Sequence, residues 1–247
     1  MLEINLNHYN EMLRYERDMD ELRALAQWIT RCDPNLSIPG LAKPREYVFD
    51  LIQHYSKKFA ADILQQGHIA PDSIDLFHSS LFSIKLILGI TPQDIEEASQ
   101  QQLYRNSGFW EMRRFIGQFG DAAEAVVKDG ITHIIAAATS GCIIGEYLGI
   151  LMDKTYHQPT PVDHMVFVRN GALPIAGLLR EQFRINGRHV LIADDAVMET
   201  RTAAVMLKKL QEMNPTAEVS ILTVDIDPET KYSEFMHQFT HVYTFDE

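Results

Sequence analysis

Two adjacent carboxylates, Asp194 and Asp195, end an apolar run that begins at His189 and reads His-Val-Leu-Ile-Ala-Asp-Asp. Acids on an otherwise apolar strand are costly to desolvate, so they are expected to face a cleft. A strand end followed by a helix is where open α/β sheets bind ligands, and the expected ligand class is a sugar phosphate. A solvated strand end, with its acids capping the next helix, is the bland alternative. Arg169, at the exit of another apolar run, offers a guanidinium fork for a phosphate or, equally, a partner for a nearby acid.

These residues need elements to position them. Ile131–Ala138 reads as a short strand, Thr139-Ser140-Gly141 as a turn, and Cys142–Met152 as a helix whose Gly145 and Gly149 allow close packing on a sheet. Met165–Val168 is a second strand leading to Arg169-Asn170-Gly171. The Asp-Asp element is a third, its crossover helix beginning near Thr202 and running to about Met213. Val219–Val224 is a fourth, and Val242–Phe245 a short edge strand. Strands alternating with helices predict an α/β fold with a mostly parallel sheet.

The first 120 residues read as helices. Tyr9, Met12, Leu13, Leu22, Leu25, Ala26 and Ile29 form one stripe, and Asp33-Pro34 to Pro39-Gly40 is a break. A second helix starts near Pro44 and stops at Gly67. A third apolar segment spans Ile74–Ile90, and Thr91-Pro92 looks like a capped start. Asn106-Ser107-Gly108 interrupts before a helical stretch from Phe109 to Lys128. Trp28, Phe59, Phe77, Phe82 and Trp110 are expected in the core. The division expected is a helical region over 1–112, serving as cap, hood or dimerisation surface, and an α/β domain over 113–247.

Composition narrows the function. With 46% hydrophobic and 23% charged residues, the 247-residue chain can bury a real core. Its formal net charge of −12 argues against general nucleic-acid affinity and against an anionic membrane surface. No apolar run approaches the roughly 20 residues of a membrane span. No signal peptide is expected at the N-terminus, and Cys32 and Cys142 have no metal-ligand spacing. A reducing, cytoplasmic setting follows, and the scattered histidines make a structural zinc site unexpected.

The ordered strand ends over residues 115–230 resemble the type I phosphoribosyltransferase family. Gly187–Asp195 resembles the family's strand to its paired acids, Met165–Pro174 (MVFVRNGALP) its second strand with a basic exit, and Ala138–Gly141 its pyrophosphate-contacting loop. The resemblance implies a phosphoribosyltransferase-like α/β domain that binds phosphoribosyl pyrophosphate or a nucleotide. It also implies Mg2+ and, if the protein is active, transfer of ribose 5-phosphate to a nitrogen base. Asp194 and Asp195 would orient the ribose hydroxyls and reach the metal only through ligand or water. Thr139, Ser140 and Gly141 would form the pyrophosphate loop, with Arg169 beside it. Ala196, Val197, Met198, Glu199, Thr200, Arg201 and Thr202 would form the phosphate loop, since a helix start presents unpaired N–H donors. A homodimer is the expected assembly.

The chain departs from that pattern in two places. The loop after the acids holds Glu199 and Arg201 where small polar residues are usual, and no glycine follows Gly187. A nest needing positive φ there would cost about 1 kcal/mol or more. Between Lys154 and Lys208 there is no lysine, so Arg180 and Arg184 are the basic candidates for a catalytic lid within Gly171–Gly187. They fit a helical face with Leu178, Leu179 and Phe183 as easily. These departures motivate a second reading, a non-catalytic sensor or interaction module of the same fold.

Overall fold

The computed structural model describes residues 6–31, 43–99, 116–170, 173–185, 187–197 and 200–245. Six strands form one sheet in the order β3-β2-β1-β4-β5-β6, comprising β1 (His133–Ala137), β2 (Val162–Asn170), β3 (Leu173–Leu178), β4 (His189–Val197), β5 (Glu218–Ile226) and β6 (Val242–Thr244). All neighbouring pairs are parallel except β2 and β3, which are antiparallel. The sequence predicts the parallel part because those strands are apolar at successive positions, not at alternate ones. On β4, Val190 and Ile192 enter one core while Leu191 and Ala193 enter the other. A sheet covered on both faces requires that pattern.

Helices α1 (Leu6–Arg31), α2 (Pro44–Gln66), α3 (Pro71–Leu88), α4 (Pro92–Ser99) and α5 (Phe119–Lys128) lead to β1; α6 (Cys142–Tyr156) and α7 (Arg201–Met213) follow β1 and β4. Proline opens α2, and Gly67 stops it at φ 76, where its N–H caps the Ile63 carbonyl. Thr91 and Asp94 form a reciprocal capping box at the start of α4, with Asp94 N donating to Thr91 Oγ1 at 3.2 Å and Thr91 N to Asp94 Oδ2 at 2.7 Å.

One core is continuous from the front helices to the sheet. Leu22, Ile52, Phe59 and Phe77 belong to it together with Ile144 and Leu148 of α6 and Ile134, Leu191 and Leu222 of the strands. The opposite face carries α7 through Ala203, Met206, Leu207 and Leu210, at the three- and four-residue spacing of one helical stripe. Close packing of α6 follows from its glycines. A methyl group at Gly145 would lie 2.9 Å from the Ala136 Cβ, and one at Gly149 would lie 2.7 Å from the Val162 Cγ2.

Several expectations need correction. No helical face forms over Leu178, Leu179 and Phe183: Leu178 ends an edge strand over 173–178, where it opposes Val166, and 179–185 form no helix. The strand pairing slips by one residue between Val168 and Arg169. Pro174 is tolerated because an edge strand leaves one side without ladder partners. Phe82 is 61% exposed, because it projects from the outer side of α3, whereas Phe59 and Phe77 are buried as expected. Trp28 is only partly buried against the core. β4 runs to Val197, two residues past the acids. Trp110, Cys32, the 33–40 break, the 106–108 interruption and the side chains of Tyr9, Met12 and Leu13 lie outside the described residues.

Candidate functional site

From β1 the chain first crosses to β2 on one side of the sheet and later returns to β4 on the other. The loops leaving β1 and β4 therefore flank a topological switch point, the position at which open α/β sheets leave a crevice at the strands' carboxyl ends. The first loop is 138–141, whose Ala138–Thr139 peptide is cis. The second follows Val197 and enters α7.

Across this point Ser140 Oγ donates to Asp194 Oδ1 at 2.9 Å, and Asp195 N donates to the same oxygen at 3.0 Å. Gly141 permits the approach: a Cβ on it would sit 2.3 Å from the Ala193 carbonyl oxygen and 2.9 Å from the Asp194 Cα. Only a residue without a side chain fits between the loop and the β4 backbone.

The acids are less open than expected, with Asp194 3% and Asp195 6% exposed. Burial, and then the neighbouring Asp195 carboxylate, push the Asp194 carboxyl well above the usual carboxylate range. Burial also raises Asp195, opposed by hydrogen bonds from Asp194, Ser140 and the Ala196 N–H. Such a pair gains from any ligand that brings hydroxyl donors or positive charge.

Arg169, at the end of β2, lies over the Phe167 ring at 5.6 Å. Burial lowers its pKa, while the Asp194 charge acts in the opposite direction. Ala196 and Val197 close β4, Thr200 is the N-cap of α7, and Arg201 and Thr202 form its first turn. Met198 and Glu199 lie outside the described residues. Arg180 donates to Asp50 of α2 at 2.8 Å, and Arg184 donates to the Phe183 and Glu181 carbonyls at 2.6 and 3.3 Å.

The residue that sequence reasoning misses is Arg23. Its Nε donates to Thr139 Oγ1 at 3.0 Å, and its Nη1 bonds Asp20 at 2.9 Å. One turn on, Gln27 Nε2 donates to the Phe167 carbonyl at 2.7 Å, fixing α1 against β2. The available signal was Gln27 itself, a polar residue inside the apolar stripe of Leu22, Ala26 and Ile29. Cys142 is a buried free thiol whose pKa burial raises, which disfavours the thiolate. Among the described residues, no group of three or more His, Cys, Asp or Glu side chains is arranged to hold a metal ion. No described helix is long and apolar enough to cross a membrane.

No family model and no curated protein matches the chain. Among solved structures, a purine phosphoribosyltransferase from Pyrococcus horikoshii is similar at 19% identity and a TM-score of 0.39, over 56% of this chain and 85% of that one. A hypoxanthine phosphoribosyltransferase from Trypanosoma cruzi, in complex with the product IMP, is similar at 15% identity and a TM-score of 0.42, over 57% and 78%. The adenine phosphoribosyltransferase of Saccharomyces cerevisiae is similar at 16% identity and a TM-score of 0.37, over 57% and 79%. Likeness this loose carries no function.

Proposed function

We propose that the chain is a phosphoribosyltransferase-like protein whose site at the β1–β4 switch point binds phosphoribosyl pyrophosphate or a nucleotide. The observation that supports it is the contact between Ser140 and Asp194, which joins the loop after β1 to the paired acids of β4. Vicinal ribose hydroxyls donate to Asp194 and Asp195 and so offset the burial of two adjacent carboxyls. The backbone amides around Thr200–Thr202 at the start of α7 donate to the 5′-phosphate, since helix starts present unpaired N–H groups. Thr139, Ser140 and Gly141, with Arg169 beside them, receive the pyrophosphate end. The helical front, residues 1–112, acts as the hood.

The donor set fits Mg2+ carried by the ligand better than a resident ion, because among the described residues no third His, Cys, Asp or Glu side chain joins the buried Asp194 and Asp195 in a metal-holding group. They would meet it through water or through the ribose. Bound there, Mg2+ would neutralise pyrophosphate charge.

A second reading, a binding protein without transferase activity, is favoured by the contacts of Arg180 and Arg184. Arg180 is engaged by Asp50 of α2, and Arg184 by the Glu181 and Phe183 carbonyls of its own segment. Leaving-group stabilisation is a large part of such a transfer, so its absence would slow turnover severely.

Calorimetric titration with phosphoribosyl pyrophosphate and Mg2+ tests the binding claim. The parent should bind, and the Asp194→Asn/Asp195→Asn double variant should not. No binding by the parent at millimolar ligand would overturn the proposal. Pyrophosphate release in the presence of purine bases separates transferase from sensor, and sedimentation of the same sample reads the proposed homodimer.

A further inference from the structure

Arg180 and Arg184, between β2 and β4, bond groups outside the 139–141 loop. Arg180 bonds a carboxylate of α2, and Arg184 bonds backbone carbonyls. A cation that bonds the loop comes from the other end of the chain. Arg23 of α1 lies 116 residues from Thr139 in sequence, its side chain 13% exposed, and it is braced by Asp20 three residues before it.

We propose that Arg23 is a positioning residue of the site, holding the Thr139 hydroxyl as a donor toward the pyrophosphate end of the ligand. The inference rests on the phosphoribosyl reading above and adds to it a residue from the helical front. The chemistry follows from the direction of one hydrogen bond. Arg23 Nε–H donates, so the Thr139 oxygen accepts a charge-assisted bond and its own O–H is left to donate. Thr139 is 2% exposed, so that donor is held in a dry environment where its orientation matters more. The guanidinium also contributes to the field of the site. Burial lowers the pKa of Arg169 and the Arg23 charge lowers it further, while burial raises Asp195 and Arg23 is among the groups opposing that rise. Gln27 keeps the helix in place through the Phe167 carbonyl, so α1 approaches the strand ends at a set depth.

Two ligands, titrated with Mg2+ into the full chain, read this directly: inorganic pyrophosphate and ribose 5-phosphate. Arg23→Gln should weaken pyrophosphate about 10-fold or more, the scale of one charge-assisted hydrogen bond, and leave ribose 5-phosphate within about 2-fold. Arg23→Lys should recover part of the loss. Thr139→Val should reproduce the loss, and the double variant Arg23→Gln/Thr139→Val should be no worse than either single one, because one residue acts through the other. Equal loss for both ligands together with a lowered Tm would reduce Arg23 to a structural tie and overturn the inference. So would additive losses in the double variant, or unchanged pyrophosphate affinity in Arg23→Gln. If the parent binds ribose 5-phosphate and pyrophosphate while Arg23→Gln loses nothing, this inference alone fails. If the parent binds neither, the phosphoribosyl reading fails and this one with it.

Discussion

A methyl group at position 141 would meet the Ala193 carbonyl oxygen at 2.3 Å, and backbone cannot move aside as a side-chain tip can. Gly141→Ala should therefore push the 138–141 loop away from β4 and break the Ser140–Asp194 bond. The expected cost is about 2 kcal/mol, or roughly 4–8 °C in Tm for a chain of this size. Differential scanning calorimetry would read it, and an unchanged Tm would mean that the loop lies farther from β4. A second residue-scale case is the buried pair of Glu146 on α6 and His164 on β2, whose Oε1 and Nε2 lie 3.6 Å apart with no hydrogen-bond partner for either atom. Burial raises the Glu146 carboxyl from 4.5 to about 8 and lowers the His164 imidazole from 6.5 to about 4. The signs oppose. Glu146 contributes stability at low pH that is lost as pH rises from about 4.5 through 8; His164 contributes stability above about 6.5 that is lost as pH falls through 4. Glu146→Gln removes the first penalty. Its stability relative to the parent should rise between pH 5 and pH 8.5 by an amount on the order of a few kcal/mol. A denaturant-midpoint difference that stays constant over that range would show that Glu146 keeps its ordinary pKa.

Among the elements, α4 is anchored by its N-terminal box, in which Thr91 and Asp94 bond reciprocally at its start. Thr91→Ala should destabilise this end by about 1 kcal/mol, with amide exchange in α4 faster by roughly 5-fold and little change in global Tm. Exchange no faster than in the parent would show that packing, not the cap, holds the helix. The capped start was legible because Thr-Pro-x-Asp states its own mechanism locally. The β2–β3 hairpin was not. Gly171, Pro174 and Gly177 are turn signals by type, and only pairing with Val166–Asn170 makes the run Leu173–Leu178 a strand. Gly177 fits there because a Cβ would meet the Met165 sulfur at 2.3 Å, a neighbour that no local pattern predicts.

At the scale of the molecule, the front helices and one face of the sheet share a single core, in which Leu25, Phe49 and Ile52 are as fully buried as Ile134 and Leu191. Unfolding should therefore be one transition. Both tryptophans, Trp28 and Trp110, lie in the front half of the chain, so tryptophan fluorescence follows that half while far-UV circular dichroism follows the whole. Their denaturation midpoints should coincide, and a separate earlier fluorescence transition would show that the front folds on its own. The alternation of strands and helices, the acidic end of β4 and the glycine-tight packing of α6 were legible in the residues alone. Each of these is written in residues within a few positions of one another, as apolar runs, turn residues and helical spacing. That Ser140 meets Asp194, that both acids are buried and that Arg23 reaches Thr139 became visible in the folded chain. These contacts join residues 54 and 116 positions apart, and they depend on strand order and helix docking, which no local pattern encodes.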